Sequence, residues 1–294
     1  MEFLTTSEAA DYLRLGERKL YELVTTGAIP CSKVTGKWLF PRHELDLWVL
    51  SGLARPAGML ATDVVGGSQD ELLDWSLRES GSGLGSMSEG SARGLERLQR
   101  DEVTAVAVHF HSLDASGNLA SDANVTALRD APDVHDALLV AFARREQGLV
   151  LPPGNPQRLR GLADVLALGA RMAMRQQGTG AQMLLDVLLK RADATTRDLR
   201  RVETPALTGP DLAEMVRAGQ ADCGVATRAA ARSAGLDFVP LVWENLDLAM
   251  RQRSYFRPTM QALIRFLSER RLRQRAEELT GYDPSPAGQI RFAA

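Results

Sequence analysis

Three glycine- and hydroxyl-rich segments of this 294-residue chain have the composition to hold a small anion: Gly66-Gly67-Ser68, Gly85-Ser86-Met87-Ser88-Glu89-Gly90-Ser91, and Arg175-Gln176-Gln177-Gly178-Thr179-Gly180. Each precedes a stretch of helical period. The free amides and the positive end of a helix dipole are gathered at such starts. Ser68, Ser86, Ser88 and Thr179 offer hydroxyls, Gly178 and Gly180 allow close backbone approach, and Arg175 brings a charge. His109 ends an apolar run and either donates to a ligand or sits in the wall of its cleft. No lysine follows Gly178-Thr179-Gly180, so the segment is not a P-loop. Ser86, Ser88, His109 and Asp114 are the residues a hydrolase would use, yet they form no Gly-x-Ser-x-Gly elbow. No metal-ligand spacing appears, and His111 and His135 fall in no pattern. No catalytic residue, resident metal or required cofactor is expected. Enzyme action in a two-lobed cleft is the lesser alternative. Cys31 and Cys223 are far apart and read as packed thiols.

A second chemistry is concentrated at the other end. The formal net charge is −2, which gives no overall attraction to nucleic acid. Only four lysines occur, however, and Lys19, Lys33 and Lys37 all lie in the first fifty residues. Between Tyr12 and His43, these three with Arg14, Arg18 and Arg42 outnumber Glu17 and Glu22. A phosphate backbone could use such a local patch.

The elements that must carry these residues are legible from period and punctuation. Thr6 or Ser7 can cap a helix with Ala9, Ala10 and Leu13 on one face. Leu15-Gly16 breaks it, and a second helix runs over residues 17–26, stopped by Gly27. Residues 29–40 read as a hairpin turning at Thr35-Gly36, and a third helix starts from Pro41. Helix, tight turn, helix and lysine-bearing hairpin make a winged helix-turn-helix. This segment resembles the excisionase-type, MerR-like family in Leu4-Thr5-Thr6-Ser7-Glu8-Ala9-Ala10, Leu20-Tyr21-Glu22-Leu23-Val24, Gly27-Ala28-Ile29-Pro30 and Gly36-Lys37-Trp38-Leu39-Phe40-Pro41. The resemblance implies that Arg18, Lys19 and Tyr21 face the groove of double-stranded DNA, with Lys33, Lys37 and Arg42 on the backbone. Trp38 and Phe40 would pack the wing. One such unit makes few base contacts, so a homodimer or higher oligomer reading two half-sites is expected.

The domains are read as 1–52, a linker at 53–58, and 59–294. From residue 59 the rhythm alternates: strand at 59–66, helix 70–79, helix 91–100, strand 103–109, and then a second block beyond 137–142. That block has a helix from Gly161-Leu162, a strand at 170–174, a helix at 180–191, and strands near 222–226 and 238–242, with a helical tail from Tyr255. The order signals an α/β class with a mostly parallel sheet. Eight arginines between Arg251 and Arg275 read as a solvated helix face rather than a second nucleic-acid surface.

This larger part resembles the cytoplasmic branch of the type 2 periplasmic-binding-protein fold. The matching words are Gly66-Gly67-Ser68-Gln69-Asp70-Glu71-Leu72-Leu73, Ala105-Val106-Ala107-Val108-His109, Arg144-Arg145-Glu146-Gln147-Gly148-Leu149, Gly219-Gln220-Ala221-Asp222-Cys223-Gly224 and Gly281-Tyr282-Asp283. It implies a two-lobed clamshell, lobe I at about 59–142 and 245–294, lobe II at about 143–244. The implied effector is molybdate or tungstate, held by neutral hydroxyls and amides. Sulfate, a small organic acid or a molybdenum cofactor would also suit those groups. The resulting expectation is a ligand-responsive DNA-binding regulator. Its rival is a DNA-binding architectural factor whose large domain only oligomerises. The N-terminus lacks signal-peptide character and no apolar run is long enough to span a bilayer, so a cytoplasmic location is expected.

Overall fold

The structure is a computed structural model describing residues 2–33, 36–51, 62–132 and 134–294. The chain divides into two compact units, residues 1–59 and 60–294. The expected linker at 53–58 lies outside the described residues.

In the smaller unit, β1 (Phe3–Leu4) leads into α1 (Thr6–Leu13) and α2 (Glu17–Thr25), and β2 (Phe40–Pro41) leads into α3 (Arg42–Ser51). The cap of α1 is Thr5, one residue before the expected Thr6 or Ser7. Its hydroxyl accepts from the Glu8 amide, and the Glu8 carboxylate accepts from the Thr5 amide at 2.8 Å. Of the three hydroxyl residues, only Thr5 stands three residues before Glu8 and can make that reciprocal pair. β1 and β2 pair antiparallel, and Ser32 and Leu39 bridge the base of the hairpin. Ala9, Ala10, Leu20, Val24, Ile29, Phe40 and Leu45 form the core, with Trp38 packed against it. Thr35 of the expected turn lies outside the described residues; Gly36 follows it with φ of 80°.

The larger unit runs β3 (Thr62–Gly67), α4 (Glu71–Glu79), β4 (Gly85–Ser88), α5 (Ser91–Gln99), β5 (Val103–Val108), α6 (Ala123–Arg129) and β6 (Ala137–Leu151). It continues with α7 (Leu162–Leu168), β7 (Arg171–Ala173), α8 (Gly180–Arg191), β8 (Arg200–Arg201), α9 (Gly209–Arg217), β9 (Cys223–Thr227), α10 (Arg228–Ser233) and β10 (Asp237–Arg251). The chain closes with α11 (Gln252–Tyr255), α12 (Pro258–Leu267), α13 (Arg270–Leu279), β11 (Tyr282–Asp283) and β12 (Ile290–Ala293). The sheet order is β4-β3-β5-β10-β6-β9-β7-β8, with β11 and β12 also on β6.

Parallel trios occupy both ends, as alternating strands and helices require. The middle is antiparallel, because β6 and β10 are each fifteen residues long and pair with one another through both halves. At roughly 3.4 Å per residue they extend about 50 Å. The residues 137–142, beyond which the second block was expected, are therefore the near end of a strand that crosses into it.

Each half of the sheet is sandwiched between helices. Val65, Leu72, Phe142, Met260, Leu263 and Phe266 fill one face of the first half, and Leu98, Val106, Leu128 and Leu139 the other. In the second half Leu149, Val165, Leu184 and Val225 lie on one face, and Val150, Leu212, Val216 and Ala226 on the other. Two lobes joined by two strands form the clamshell.

The expected helical tail is only part of the C-terminus. After Gly281, whose φ is 70°, the chain returns as β11 and β12 to pair with β6. Of the arginine run, Arg253, Arg265, Arg270, Arg271 and Arg273 are exposed as expected of a solvated face, but the run is also tied down. Arg251 is nearly buried between Asp101 (2.6 Å) and Asp136 (2.7 Å), Arg257 pairs with Asp63, and Arg271 pairs with Glu79 while lying over Trp75. These pairs fasten the tail to the first lobe.

Candidate functional site

Strand-to-helix turns from both lobes meet at a cavity of about 240 Å³. Parallel strands deliver their carboxyl ends, and the helices that follow deliver their N-termini, to the same place. The first lobe supplies Ser68 and Gln69 from the β3–α4 turn, Ser88, Glu89 and Gly90 from the β4–α5 turn, and His109 from the end of β5. From the second come Arg175, Gln176 and Thr179 before α8, Thr208 and Gly209 at the start of α9, and Thr227 at the end of β9. Thr179, Thr208 and Thr227 are the N-caps of their helices.

Of the residues singled out in the sequence, Ser68, Ser88, His109, Arg175 and Thr179 line this cavity. Ser86 does not. Residues 85–88 are a strand paired with β3 rather than a loop, so Ser86 stands two residues back from the carboxyl end, and its hydroxyl donates to Asp74 at 2.9 Å. Gly178 and Gly180 also lie outside the lining and work through contact between lobes. The Gly178 carbonyl accepts from the Ala92 amide at 3.2 Å, and a Cβ at Gly180 would fall 2.2 Å from His109 Cε1.

The hydroxyls are held in chains. Ser91 Oγ accepts from the His109 amide at 3.0 Å and lies 2.8 Å from Ser68 Oγ. When Ser91 donates to Ser68, the Ser68 proton is left for the cavity. Arg175 spends its guanidinium on the carbonyls of Ala206 (3.3 Å) and Leu207 (2.9 Å), and burial, then the charge of Arg145, pushes it down to about 10. It stays cationic at neutral pH in a low-dielectric wall.

Sequence reasoning missed the buried polar frame behind these groups. Arg145, on β6, sends Nη1 to Asp70 at 2.7 Å and Nε to Glu244 at 2.6 Å, with all three side chains almost wholly buried. Gln147 Nε2 donates to the same Glu244 oxygen at 3.0 Å, while its own buried Oε1 has no hydrogen-bond partner among the described residues. His109 Nδ1 is 3.1 Å from Glu244, and burial pushes this imidazole down to about 4, so it is neutral at physiological pH. Glu244 itself is held well below the usual carboxylate range against its own burial by His109 and Arg145. One available signal was Thr208-Gly209-Pro210-Asp211, a capping box with proline at the helix start.

Glu71 borders this frame, taking a hydrogen bond from the Tyr282 hydroxyl at 3.2 Å. Burial and the neighbouring Asp70 push its carboxyl up to about 7. The folded chain thus holds this proton more tightly than the unfolded chain, and the associated stability is lost as pH rises from about 4.5 to 7. At about 1.4 kcal/mol per pH unit, Glu71→Gln should add up to about 3 kcal/mol at pH 8 and almost nothing at pH 4. Urea unfolding at both values checks this; an equal gain at each would refute the assignment.

In the smaller unit Arg18 is almost fully exposed beside Glu22 on α2, Lys19 pairs with Glu22 at 3.2 Å, and Tyr21 is about half exposed. Lys33 lies over the Trp38 ring, and Lys37 is exposed. Arg42 is engaged by Glu2 at 2.8 Å and stacks on Tyr12.

Residues 75–268, about two thirds of the chain, match the family described as a PBP superfamily domain. The chain belongs to that superfamily. Residues 3–52 match a helix-turn-helix domain. A curated relative, the uncharacterized protein YvgK of Bacillus subtilis (strain 168), is 26% identical over 152 residues, 52% of this chain. The match spans about half of that relative's length, 49%. The sulfate-binding protein SubI from Mycobacterium tuberculosis H37Rv superposes with a TM-score of 0.52 at 15% identity, over 74% of this chain and 85% of that one. The tungstate ABC transporter from Geobacter sulfurreducens gives 0.51 at 12% identity, over 74% and 100%. At such identities these likenesses establish the fold of the PBP domain and nothing finer. Neither matched domain is an enzyme family. No helix among the described residues is long and apolar enough to cross a membrane.

Proposed function

We propose that the chain is a cytoplasmic, ligand-responsive transcriptional regulator that binds DNA through its helix-turn-helix and senses a small anion in the PBP cleft, with molybdate or tungstate as the effector. The observation that carries this reading is the convergence of helix N-termini, capping hydroxyls and the half-buried cation Arg175 on one cavity. Donors fixed by the fold replace an anion's hydration shell without reorganising. Ligand binds the closed lobe arrangement better than the open one, and closure resets the helix-turn-helix units of a homodimer. Gel-shift titration with and without molybdate tests the whole reading: equal DNA affinity at saturating anion removes the sensor.

Arg175→Met should weaken anion binding by about tenfold to a hundredfold, the worth of a charge-assisted hydrogen bond at about 1.5–3 kcal/mol. Calorimetry with molybdate, tungstate and sulfate reads this out, and unchanged affinity would remove Arg175 from the site.

Gln147 favours a second reading. Its amide is oriented by Glu244, because a flipped amide would set two acceptors against each other at 3.0 Å; its Oε1 is thus an acceptor in the cavity wall. A bare oxyanion brings no donor to meet it. An organic acid with a hydroxyl or amine does, and a panel of such acids beside the metal oxyanions separates the two.

For DNA, Arg18→Ala should cost about 1–3 kcal/mol and relax sequence preference, whereas Lys37→Ala should weaken all sequences alike and lower the salt slope by about 1. Duplexes selected by the full chain from a random pool serve as probes. Identical effects of the two substitutions would contradict these roles.

A further inference from the structure

We propose that His109, His111 and Glu244 form a binding site for a transition-metal dication of the zinc class, behind the wall that His109 lends to the anion cavity. The two histidines stand two residues apart just past the end of β5, and Glu244 faces them from β10. His109 Nδ1, His111 Nε2 and a Glu244 oxygen all lie within 4.8 Å of one another. Side-chain exposures are 6%, 7% and 2%. Zinc holds imidazole nitrogen and carboxylate oxygen at about 2.0–2.2 Å, so tetrahedral ligands stand about 3.3–3.6 Å apart and the cluster would open slightly to take the ion. Here the carboxylate is 3.1 Å from one ring nitrogen and 2.8 Å from the other.

Three details favour a cation over a plain hydrogen-bonded cluster. First, His111 Nε2 is buried, 2.8 Å from Glu244 Oε2, and without a well-aligned hydrogen-bond partner among the described residues. A ring nitrogen held that close to a carboxylate oxygen is placed to share an ion with it. Second, the frame divides the carboxylate: Arg145 and Gln147 both donate to Oε1, leaving Oε2 to His111 at 2.8 Å, while His109 Nδ1 lies between the two oxygens at 3.1 and 3.2 Å. Arg145 is shared with Asp70, so two carboxylates face one guanidinium and a negative charge remains at the cluster. Arg145 and Gln147 then orient the ligating carboxylate, as outer partners do in metal sites. Third, access does not run through the anion cavity. His111 and Glu244 line a second cavity of about 470 Å³, with Asn124, Asn245 and Ser285 around it and its two arginines, Arg144 and Arg291, facing Asp283 and Asp247, which gives an ion a polar entrance and room for a water as fourth ligand.

The chain has only four histidines, which makes the test clean. Full-length protein, stripped with chelator and dialysed against Zn²⁺, should retain one metal per chain by mass spectrometry. Co²⁺ in its place should give the visible d–d bands of nitrogen–oxygen coordination. His111→Gln and Glu244→Gln should each lose the metal, while a His43→Gln/His135→Gln double variant keeps it. Zn²⁺ should raise the melting temperature of the parent chain and leave that of His111→Gln unmoved. A parent chain that holds no stoichiometric Zn²⁺ and shows no Co²⁺ bands overturns the site, and this readout does not depend on any variant folding. Equal zinc in His111→Gln and the parent overturns it as well. Loss of metal with intact oxyanion binding would confirm that the two sites are distinct.

Discussion

Replacing Arg145 by methionine should destabilise the larger unit by about 3–5 kcal/mol, the usual cost of removing one member of a buried ion pair. The side chain is 2% exposed and faces two carboxylates, Asp70 and Glu244, that are equally buried. Methionine fills most of the volume but leaves both charges without their cation in a low-dielectric interior. Asp70 also caps α4 by accepting from the Leu73 amide at 2.9 Å, so its repulsion is transmitted into the first helix of the lobe. The compensated variant Arg145→Met/Asp70→Asn/Glu244→Gln should recover most of the loss, since asparagine caps a helix as well as aspartate does. Scanning calorimetry decides between outcomes. A single variant within about 1 kcal/mol of the parent, or a triple no better than the single, would mean that the charges are not the source of the cost.

The second large effect concerns binding. Gly180 opens α8, and a methyl there would lie 2.2 Å from His109 Cε1 and 2.3 Å from the His109 carbonyl oxygen. The ring could turn away; the carbonyl is backbone and cannot. Gly180→Ala therefore forces the start of α8 away from the end of β5, which belong to opposite lobes. The cores of both lobes are untouched, and alanine is the better helix former by up to about 1 kcal/mol, so the chain should still fold. Anion affinity should fall by about a hundredfold or more, in line with what misplacing binding groups by about an ångström costs. The ligand-dependent change in DNA binding should go with it. Calorimetry on the folded variant is the check; affinity within threefold of the parent would show that this contact plays no part in closure.

Much of this was legible in the sequence, for identifiable reasons. The helix-turn-helix could be read because its signals are local: alternating faces, a glycine stop, and a proline before α3. The helix at Gly180–Arg191 came out to the residue because Thr179 caps it and its apolar period is strong. The crossing strands were hidden. In β6 the run Arg144-Arg145-Glu146-Gln147 interrupts an otherwise apolar strand, and nothing local reveals that Arg145 and Gln147 are buried at the lobe junction. Their partners Asp70 and Glu244 lie 75 and 99 residues from Arg145, so the polar frame exists only once the sheet is assembled. The same distance concealed His109, His111 and Glu244. Ser86 was misplaced for another reason: Gly85-Ser86-Met87-Ser88 has turn composition, and only pairing with β3 makes it a strand.

The path of β6 and β10 also sets the order in which the protein can be born. Val65 and Leu72 emerge early, but the core that buries them is completed by Leu248, Met260, Leu263 and Phe266, roughly two hundred residues later. The second lobe is inserted between, and its own strands are all translated before the first lobe can close. On the ribosome the small N-terminal unit has every residue of its core in hand at once, the second lobe can collapse next, and the first lobe must wait for its final helices. A chain stalled between α3 and α12 therefore holds a finished helix-turn-helix unit attached to a PBP domain that has not yet acquired its floor.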